Sequence, residues 1–400
     1  MNFEAVNSGI TGPDGFRTAG IACGIKASGL DLAIVTSDDI TNAAGIFTTN
    51  CVTAAPVQVS REHLAQTQGR AKAIVVNSGC ANACTGDAGI DVARAMTTAT
   101  ATQLGCTSQE VLVASTGVIG VQLNTEKLRA GINVAAGQLS KEGHRSAAEA
   151  IMTTDLEPKE FGIEVTTAQG NFRVGGMAKG AGMIEPNMAT MLAFLTTDAR
   201  IESAQLNQAL RESAADTFNA ITVDGECSTN DSVFALASGR STVVIDDDMY
   251  PIFVEAFRTV SRQLALDIVR GGEGATKIVS ITAAGARTED DARRVARVLA
   301  NSLLVKTALH GCDPNWGRLV AAAGRSGVAF DLNQAMVLIG DTVLFEKGQP
   351  YDERASVAAA YLQQSEIEIT IHMGVGDHNA TVWTCDLSAD YVQINSEYRT

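Results

Sequence analysis

Short apolar runs alternate with helical periodicity in the first half of the chain. Residues 73–76 and 111–114 are apolar runs of strand length, and small or polar residues end each of them. Between these predicted strands, residues 89–104 carry apolar side chains at mostly helical spacing. Asn124 is placed to cap a further helix that reaches about Leu139.

The alternation continues to the end of the chain without an apparent linker. Further helices are predicted near residues 147–152, 203–218, 249–269 and 355–363, and Thr288 with Asp291 starts another in the manner of a capping box. Strands or hairpins are predicted at residues 161–167 with 172–175, 191–194, 277–283, 367–372 and 381–385, and around Gly340 and Asp341. The pattern predicts one α/β (α+β) body, a layered sandwich of mixed or antiparallel sheets and helices.

Composition and charge exclude several classes of function. Nearly half of the 400 residues are apolar, which is enough for a large core, and the net charge of −15 argues against a nucleic-acid surface. The chain has no apolar run long enough to span a membrane, and its first residues lack the features of a leader peptide, so a cytoplasmic protein is expected. The eight cysteines and five histidines show no metal or redox spacing, so neither a metal nor a cofactor is predicted.

The loop from Lys179 to Thr190 is the most informative stretch. It is rich in glycine and leads to an Ala189-Thr190 junction in front of an apolar strand. If the chain is cut at this junction, Thr190 gains an α-amine that titrates near neutral pH and can serve as the base for its own hydroxyl. The glycine-rich residues 175–182 lack the ending of a P-loop and the Rossmann spacing, so a nucleotide site is not predicted.

Three other polar segments lie at the ends of apolar elements. Ser115, Thr116 and Gly117 follow a strand, where they can form either an oxyanion site or an ordinary turn. Glu273 stands among glycines that either let a ligand approach or cap a helix. The last ten residues are polar, and composition alone predicts a frayed end there.

Motifs over nearly the whole chain carry a family resemblance. They comprise residues 77–79, 82–84, 114–120, 151–155, 179–198, 224, 227–231, 272–277, 304–308, 310–318 and 395–400. In this order they resemble the motifs of the ornithine acetyltransferase family. Its members are also called the bifunctional glutamate N-acetyltransferases of arginine biosynthesis. The resemblance implies an N-terminal-nucleophile-like fold that cleaves itself at Ala189/Thr190. The α chain of residues 1–189 and the β chain of residues 190–400 then remain one intertwined folded unit, and the family expectation is an α2β2 assembly.

The resemblance also implies a reaction. Thr190 takes the acetyl group of N2-acetyl-L-ornithine as an acyl-enzyme, and L-glutamate then accepts that group in a ping-pong transfer. Some members of the family also use acetyl-CoA as a donor, and no feature of the sequence separates the two kinds. No cofactor or metal is implied.

Site residues follow from the same resemblance. Thr116 and Gly117 correspond to the oxyanion hole. The substrate-binding set is Thr153, Lys179, Thr190, Glu273, Asn395 and Thr400, with Thr154 as the alternative to Thr153. Two other functions stay open at this point: an N-terminal-nucleophile amidohydrolase or aminopeptidase that uses water as the acceptor, and a binding protein that never cuts itself.

Overall fold

The protein is described by a computed structural model that covers residues 2–185 and 191–397. Its contacts divide these residues into two compact units. The first unit takes the described parts of residues 1–219 and 226–268, and the second takes residues 220–225 and the described part of 269–399. The units do not coincide with the predicted fragments 1–189 and 190–400, which stay a prediction.

Strands occur throughout both units. They are β1 (Asn2–Ala5), β2 (Phe16–Ile21), β3 (Leu32–Phe47), β4 (Arg70–Asn77), β5 (Val111–Ser115), β6 (Lys159–Thr167), β7 (Gly170–Lys179), β8 (Leu192–Thr197), β9 (Ser232–Ala237), β10 (Ile278–Ala286), β11 (Met336–Ile339), β12 (Thr342–Glu346), β13 (Gln349–Pro350), β14 (Glu366–His372) and β15 (His378–Cys385).

Helices connect and cover these strands. They are α1 (Ala55–Gln66), α2 (Gly86–Leu104), α3 (Thr125–Gly137), α4 (His144–Ala150), α5 (Ser203–Ala215), α6 (Tyr250–Arg270), α7 (Glu289–Ala300), α8 (Leu303–His310), α9 (Trp316–Gly324), α10 (Ala355–Tyr361) and α11 (Ala389–Glu397). Single 3₁₀ turns lie at Gly9–Thr11, Ser108–Glu110, Lys141–Gly143, Phe218–Ala220 and Asp352–Arg354.

The first unit is built on a mixed sheet. Its strands follow the order β1-β6-β7-β8-β9-β3-β4-β5, and β2 pairs with β3 beside this path. The pairs β8–β9 and β4–β5 are parallel, whereas the other pairs are antiparallel. The strand β3 is long enough to pair with β4 and β9 in succession, and its register with β4 shifts between Thr36 and Thr41.

Both faces of the central strands are buried. Ile74 and Val76 of β4 belong to a core cluster with α4, whereas Ala73 and Val75 belong to a cluster with α1, α2 and α3. Successive side chains of a strand point to opposite faces, so a strand covered on both sides becomes a continuous apolar run. This is the physical origin of the run that the sequence shows at residues 73–76.

The second unit has its own mixed sheet, in the order β13-β12-β11-β14-β10-β15. Its β10 pairs in parallel with β14 and antiparallel with β15. The helix α7 contributes Val295 and Leu299 to the core on this sheet. Like the first unit, the second unit is therefore a mixed sheet covered by helices.

The layered α/β prediction is confirmed, and most predicted elements lie within a few residues of the observed ones. Two predicted caps are confirmed in detail: Asn124 accepts hydrogen bonds from the first-turn N–H groups of α3, and Thr288 accepts one from Asp291 N. The prediction of a frayed C-terminus is wrong as far as Glu397, because residues 389–397 form α11. None of the described helices is long and apolar enough to cross a membrane.

Candidate functional site

The ends of β4 and β5 place Thr116 and Gly117 at one edge of the first sheet. These two strands run parallel, with Asn77 level with Ser115. Ser115 Oγ donates to Asn77 Oδ1 at 2.6 Å, and Thr116 N donates to Asn77 O at 3.0 Å. The buried Asn77 thus fixes the point where β5 ends and the Thr116-Gly117 turn begins.

Gly117 permits a very close approach of two chain segments. Its φ angle is +126°, and a Cβ atom built at this position would lie 2.4 Å from Gly79 C and 2.6 Å from Cys80 N. Real Cβ atoms do not come so near to backbone atoms, so a side chain here would push the turns after β4 and β5 apart. The glycine is required by the geometry of the turn.

Lys179 reaches the same edge from β7. It is the last residue of that strand and pairs with Leu192, the first residue of β8. Its Nζ donates to Thr116 Oγ1 at 3.2 Å, although the residue is only 8 % exposed. The structure therefore brings together two of the predicted site residues, Thr116 and Lys179, beside the strand that follows residue 190.

Asp155 is a buried carboxylate that interacts with the charges of two lysines at this edge. Its Oδ1 accepts from Lys159 Nζ at 2.5 Å and from Gly180 N at 2.7 Å. Burial alone would raise the pKa of Asp155, but the charges of Lys179 and Lys159 and these hydrogen bonds outweigh it, so the pKa falls from 3.8 to about 2. The carboxylate is thus held ionised in a buried place.

Thr153 is tied to the same carboxylate. Its backbone N–H donates to Asp155 Oδ2 at 3.1 Å, and the residue is half-buried. This contact places the backbone of the predicted residue in the cluster of Asp155 and Lys159. The choice between Thr153 and Thr154 stays a prediction.

The second unit brings Glu273 and Asn395 together. Asn395 lies on α11 and donates from Nδ2 to Glu273 Oε2 at 2.8 Å. Glu273 is 9 % exposed, and it lies in the loop between α6 and β10. The two predicted residues, 122 positions apart in sequence, are hydrogen-bonded neighbours.

Close packing holds α11 against this loop. Gly274 has a φ of +66°, and a Cβ built there would lie 2.5 Å from Tyr391 N and 2.7 Å from Ser388 Oγ. Ser388 Oγ donates to Gly274 O at 2.6 Å, and the Tyr391 hydroxyl donates to Asp224 Oδ2 at 3.2 Å. The polar end of the chain is therefore an ordered part of the second unit through Glu397.

Some predicted site residues lie outside the described part of the chain, and some important residues were not predicted. Thr190 and Thr400 belong to the first group, as does the Ala189/Thr190 junction. Asp155 and Lys159 belong to the second group, although Asp155 stands in one of the motifs of the resemblance. A carboxylate four residues before a lysine, between a predicted helix and a predicted strand, was the available signal. No group of side chains suited to a metal ion occurs among residues 2–185 and 191–397.

A lysine, a threonine hydroxyl and a tight glycine turn at one edge of the sheet are groups from which a catalytic site for a small molecule can be built. Comparison with known proteins gives the family. The model described as "ArgJ family" matches residues 17–400, so the chain belongs to the ArgJ family.

Two relatives with similar sequences agree with this assignment. The arginine biosynthesis bifunctional protein ArgJ of Chlorobaculum tepidum is 46 % identical over 97 % of this chain and 96 % of its own. The protein of the same name from Synechocystis is 45 % identical over the full length of both chains. A solved structure of the Mycobacterium tuberculosis ornithine acetyltransferase, complexed with ornithine, is 43 % identical; the match covers 47 % of this chain and 100 % of that chain, with a TM-score of 0.44.

Proposed function

We propose that this enzyme transfers the acetyl group of N2-acetyl-L-ornithine to L-glutamate in arginine biosynthesis, through an acetyl-Thr190 intermediate. Its membership in the ArgJ family supports acetyl transfer in that pathway. The observation that carries the mechanism is the hydrogen bond between Lys179 and Thr116 at the start of β8, since Thr190 precedes that strand by two residues.

Two half-reactions make up the ping-pong transfer. After cleavage at Ala189/Thr190, the free α-amine of Thr190 accepts the hydroxyl proton while Oγ attacks the acetyl carbonyl carbon. The tetrahedral intermediate then expels ornithine, whose amine takes the proton. In the second half-reaction the amine of glutamate attacks the acetyl ester and regenerates Thr190.

Thr116 and Gly117 are the proposed oxyanion site. Preorganised donors stabilise an oxyanion best when they need not reorganise during the reaction. The turn meets this requirement because Asn77 fixes its start and Gly117 packs directly on the backbone of Gly79. Lys179, which donates to Thr116 Oγ1, orients that hydroxyl.

Lys179 is also the proposed partner of the α-carboxylate that both substrates share. Its Nζ is already close to Thr116 Oγ1, at the edge where the proposed nucleophile would lie. An ammonium group there can bind a substrate carboxylate through charge-assisted hydrogen bonds.

Glu273 is the proposed partner of the δ-ammonium group of ornithine. Asn395 holds the carboxylate at 2.8 Å and leaves its second oxygen for the ligand. Thr153 and Thr400 complete the proposed substrate-binding set. The mechanism uses no cofactor and no metal, and acetyl-CoA enters only as a second donor to be tested.

The two proposed fragments would stay together after cleavage. The strands β8 and β9 come from residues 190–400, and they lie in the sheet between β7 and β3, which come from residues 1–189. Two hydrogen-bonded ladders, β7–β8 and β9–β3, therefore cross the fragment boundary. This supports one intertwined α/β chain pair, and we propose that two such pairs form an α2β2 enzyme. We place it in the cytoplasm, since eight free cysteines are typical of a reducing compartment.

Intact-mass measurement tests the proposal. The purified protein should consist of two fragments that meet at Ala189/Thr190, and acetylornithine should add one acetyl mass to the second fragment. Added glutamate should remove that mass as N-acetylglutamate, and acetyl-CoA in place of acetylornithine tests the second donor.

One variant and two contrary outcomes make this test decisive. Thr190→Ala should abolish cleavage and lower transfer at least about 10⁴-fold, as removal of a nucleophile does elsewhere. An unbroken chain with full activity would refute the mechanism. Release of free acetate at a rate that glutamate does not change would instead identify an amidohydrolase.

A further inference from the structure

A lysine and a cysteine that the proposed reaction does not use are in direct contact in the second unit. Lys277 Nζ lies 3.0 Å from Cys312 Sγ and also donates to Leu309 O at 2.6 Å. Cys312 Sγ in turn donates to Leu362 O at 3.3 Å. The thiol hydrogen therefore points away from the lysine, and the sulfur accepts from Nζ.

This contact has the features of a reactive thiol. Lys277 is 9 % exposed, whereas Cys312 is half-buried and reachable by a small oxidant. A positively charged group next to the sulfur is the surrounding in which reactive cysteines occur. Cys312 also has a φ of +53°, so it lies in a turn where a non-glycine residue is uncommon.

We propose that Lys277 and Cys312 form an oxidation-sensitive site, in which hydrogen peroxide leads to a reversible covalent bond between Sγ and Nζ. In the first step the thiol takes one oxygen atom from peroxide, which gives the sulfenic acid and water. In the second step the lysine amine, after losing its proton to solvent, attacks the sulfur. An S–N bond forms, the S–O bond breaks, and the oxygen leaves as water with the second amine hydrogen.

A second lysine–cysteine pair in the same unit provides a natural control. Lys306 Nζ lies 3.7 Å from Cys385 Sγ, but Cys385 is 1 % exposed, and burial raises the pKa of its thiol. The longer distance opposes the S–N bond, and the closed surroundings oppose the preceding reaction of the thiol with peroxide. Comparing the two pairs therefore tests whether a nearby lysine is enough for the linkage, or whether the sulfur must also be accessible to peroxide.

The bond would act on the loop that carries Glu273. Lys277 closes this loop, and the N–H groups of Thr276 and Lys277 are bound to Asp386 Oδ1 at 2.8 and 2.9 Å. A bond from Nζ to Sγ competes with the Leu309 O contact at the end of α8 and strains the loop. Lower transfer activity after oxidation is therefore expected, and this consequence alone rests on the proposed function.

Peptide mapping of the oxidised full-length protein tests the site. The protein is treated with hydrogen peroxide, its free thiols are alkylated, and it is then unfolded and digested. We expect a linked pair of peptides that contain Lys277 and Cys312, lighter than the sum of the reduced peptides by two hydrogen atoms. Dithiothreitol should restore the separate peptides.

Matched variants and the second pair decide the outcome. Cys312→Ser and Lys277→Arg should give no linked peptides, and Cys385 should remain unlinked to Lys306 in the same sample. Recovery of Cys312 as an alkylated thiol or a sulfinic acid, without any link to Lys277, would overturn the proposal. A linked pair that retains the oxygen atom would overturn the S–N bond. Because the readout is a mass, these results hold whether or not the protein transfers acetyl groups.

Discussion

The two candidate clusters handle charge in opposite ways. In the first unit, the side chains of Asp155 and Lys159 are 0 % and 6 % exposed, so an ion pair is removed from water together with Lys179. In the second unit, the carboxylate of Glu273 is held by the neutral amide of Asn395, an exposed residue on the last described helix.

This difference separates two kinds of function. Buried charges are costly to leave unpaired, so breaking the ion pair of the first cluster lowers the free energy of unfolding. The geometry of this cluster is therefore fixed. The amide that binds the 9 % exposed Glu273 carboxylate is itself exposed, so water can replace this amide, and the second cluster can adapt to a ligand at little cost in stability. Substitutions in the first cluster should therefore change stability and activity together, whereas those in the second should change activity alone.

The largest effect on stability is expected for Asp155→Asn. The substitution keeps the shape of the side chain but leaves Lys159 buried without its counter-charge. Removing one partner of a buried pair costs about 3–5 kcal/mol, and we expect this loss in the free energy of unfolding measured with urea. The exposed pair of Arg17 and Asp38 in the same unit is the control, since Asp38→Asn should cost less than about 1 kcal/mol. Equal losses for both variants would contradict the contrast between buried and exposed charges.

Gly117→Ala is the next test, because it changes the proposed oxyanion turn without changing any charge. The added methyl group meets the backbone of Gly79 at 2.4 Å, and we expect a loss of about 3–4 kcal/mol in transition-state stabilisation from the displaced turn. Gly120→Ala is a matched control, because Gly120 also has a positive φ but no atom lies within 4 Å of its added Cβ. Steady-state kcat/KM for both variants checks this, and equal losses would show that backbone strain rather than crowding is responsible.

Much of the fold could be predicted because its causes are local. The run at residues 73–76 and the caps at Asn124 and Thr288 follow from neighbouring residues, and all are present. The residue pairs of the site depend on contacts that no local pattern contains. Glu273 and Asn395 meet only because β15 and α11 return the chain to the loop after α6.

The burial of Asp155 shows most clearly where sequence reasoning stops. As a whole residue Asp155 is 8 % exposed, whereas the apolar Leu156 beside it is 82 % exposed, which is the reverse of what hydropathy predicts. The aspartate is buried because Lys159, Lys179 and the N–H of Gly180 converge on it. These groups come together only in the folded sheet. The family resemblance therefore pointed to the motif that contains Asp155 but not to the lysines that neutralise it.

Acid should reveal the same ion pair in the unmodified enzyme. The pKa of Asp155 is lowered from 3.8 to about 2 in the folded state, so its contribution to stability is complete above pH 3.8 and is lost as the pH falls toward 2. The shift corresponds to about 2 kcal/mol. Unfolding by urea at several pH values between 5 and 2 should show a steeper loss for the wild type than for Asp155→Asn. Parallel curves would mean that this carboxylate does not titrate with folding.

The smallest effect is expected for Asn395→Ala in the second cluster. The substitution removes the 2.8 Å hydrogen bond to Glu273 Oε2 and leaves the carboxylate free to turn away from a bound ammonium group. We expect kcat/KM for acetylornithine to fall about 5–10-fold, which corresponds to about 1 kcal/mol, while the free energy of unfolding changes by less than about 0.5 kcal/mol. Gln393→Ala, an exposed change on the same helix, controls for effects on α11 itself. A loss in the free energy of unfolding as large as the loss in kcat/KM would show that Asn395 stabilises the fold, as Asp155 does. The contrast between the two clusters would then be wrong.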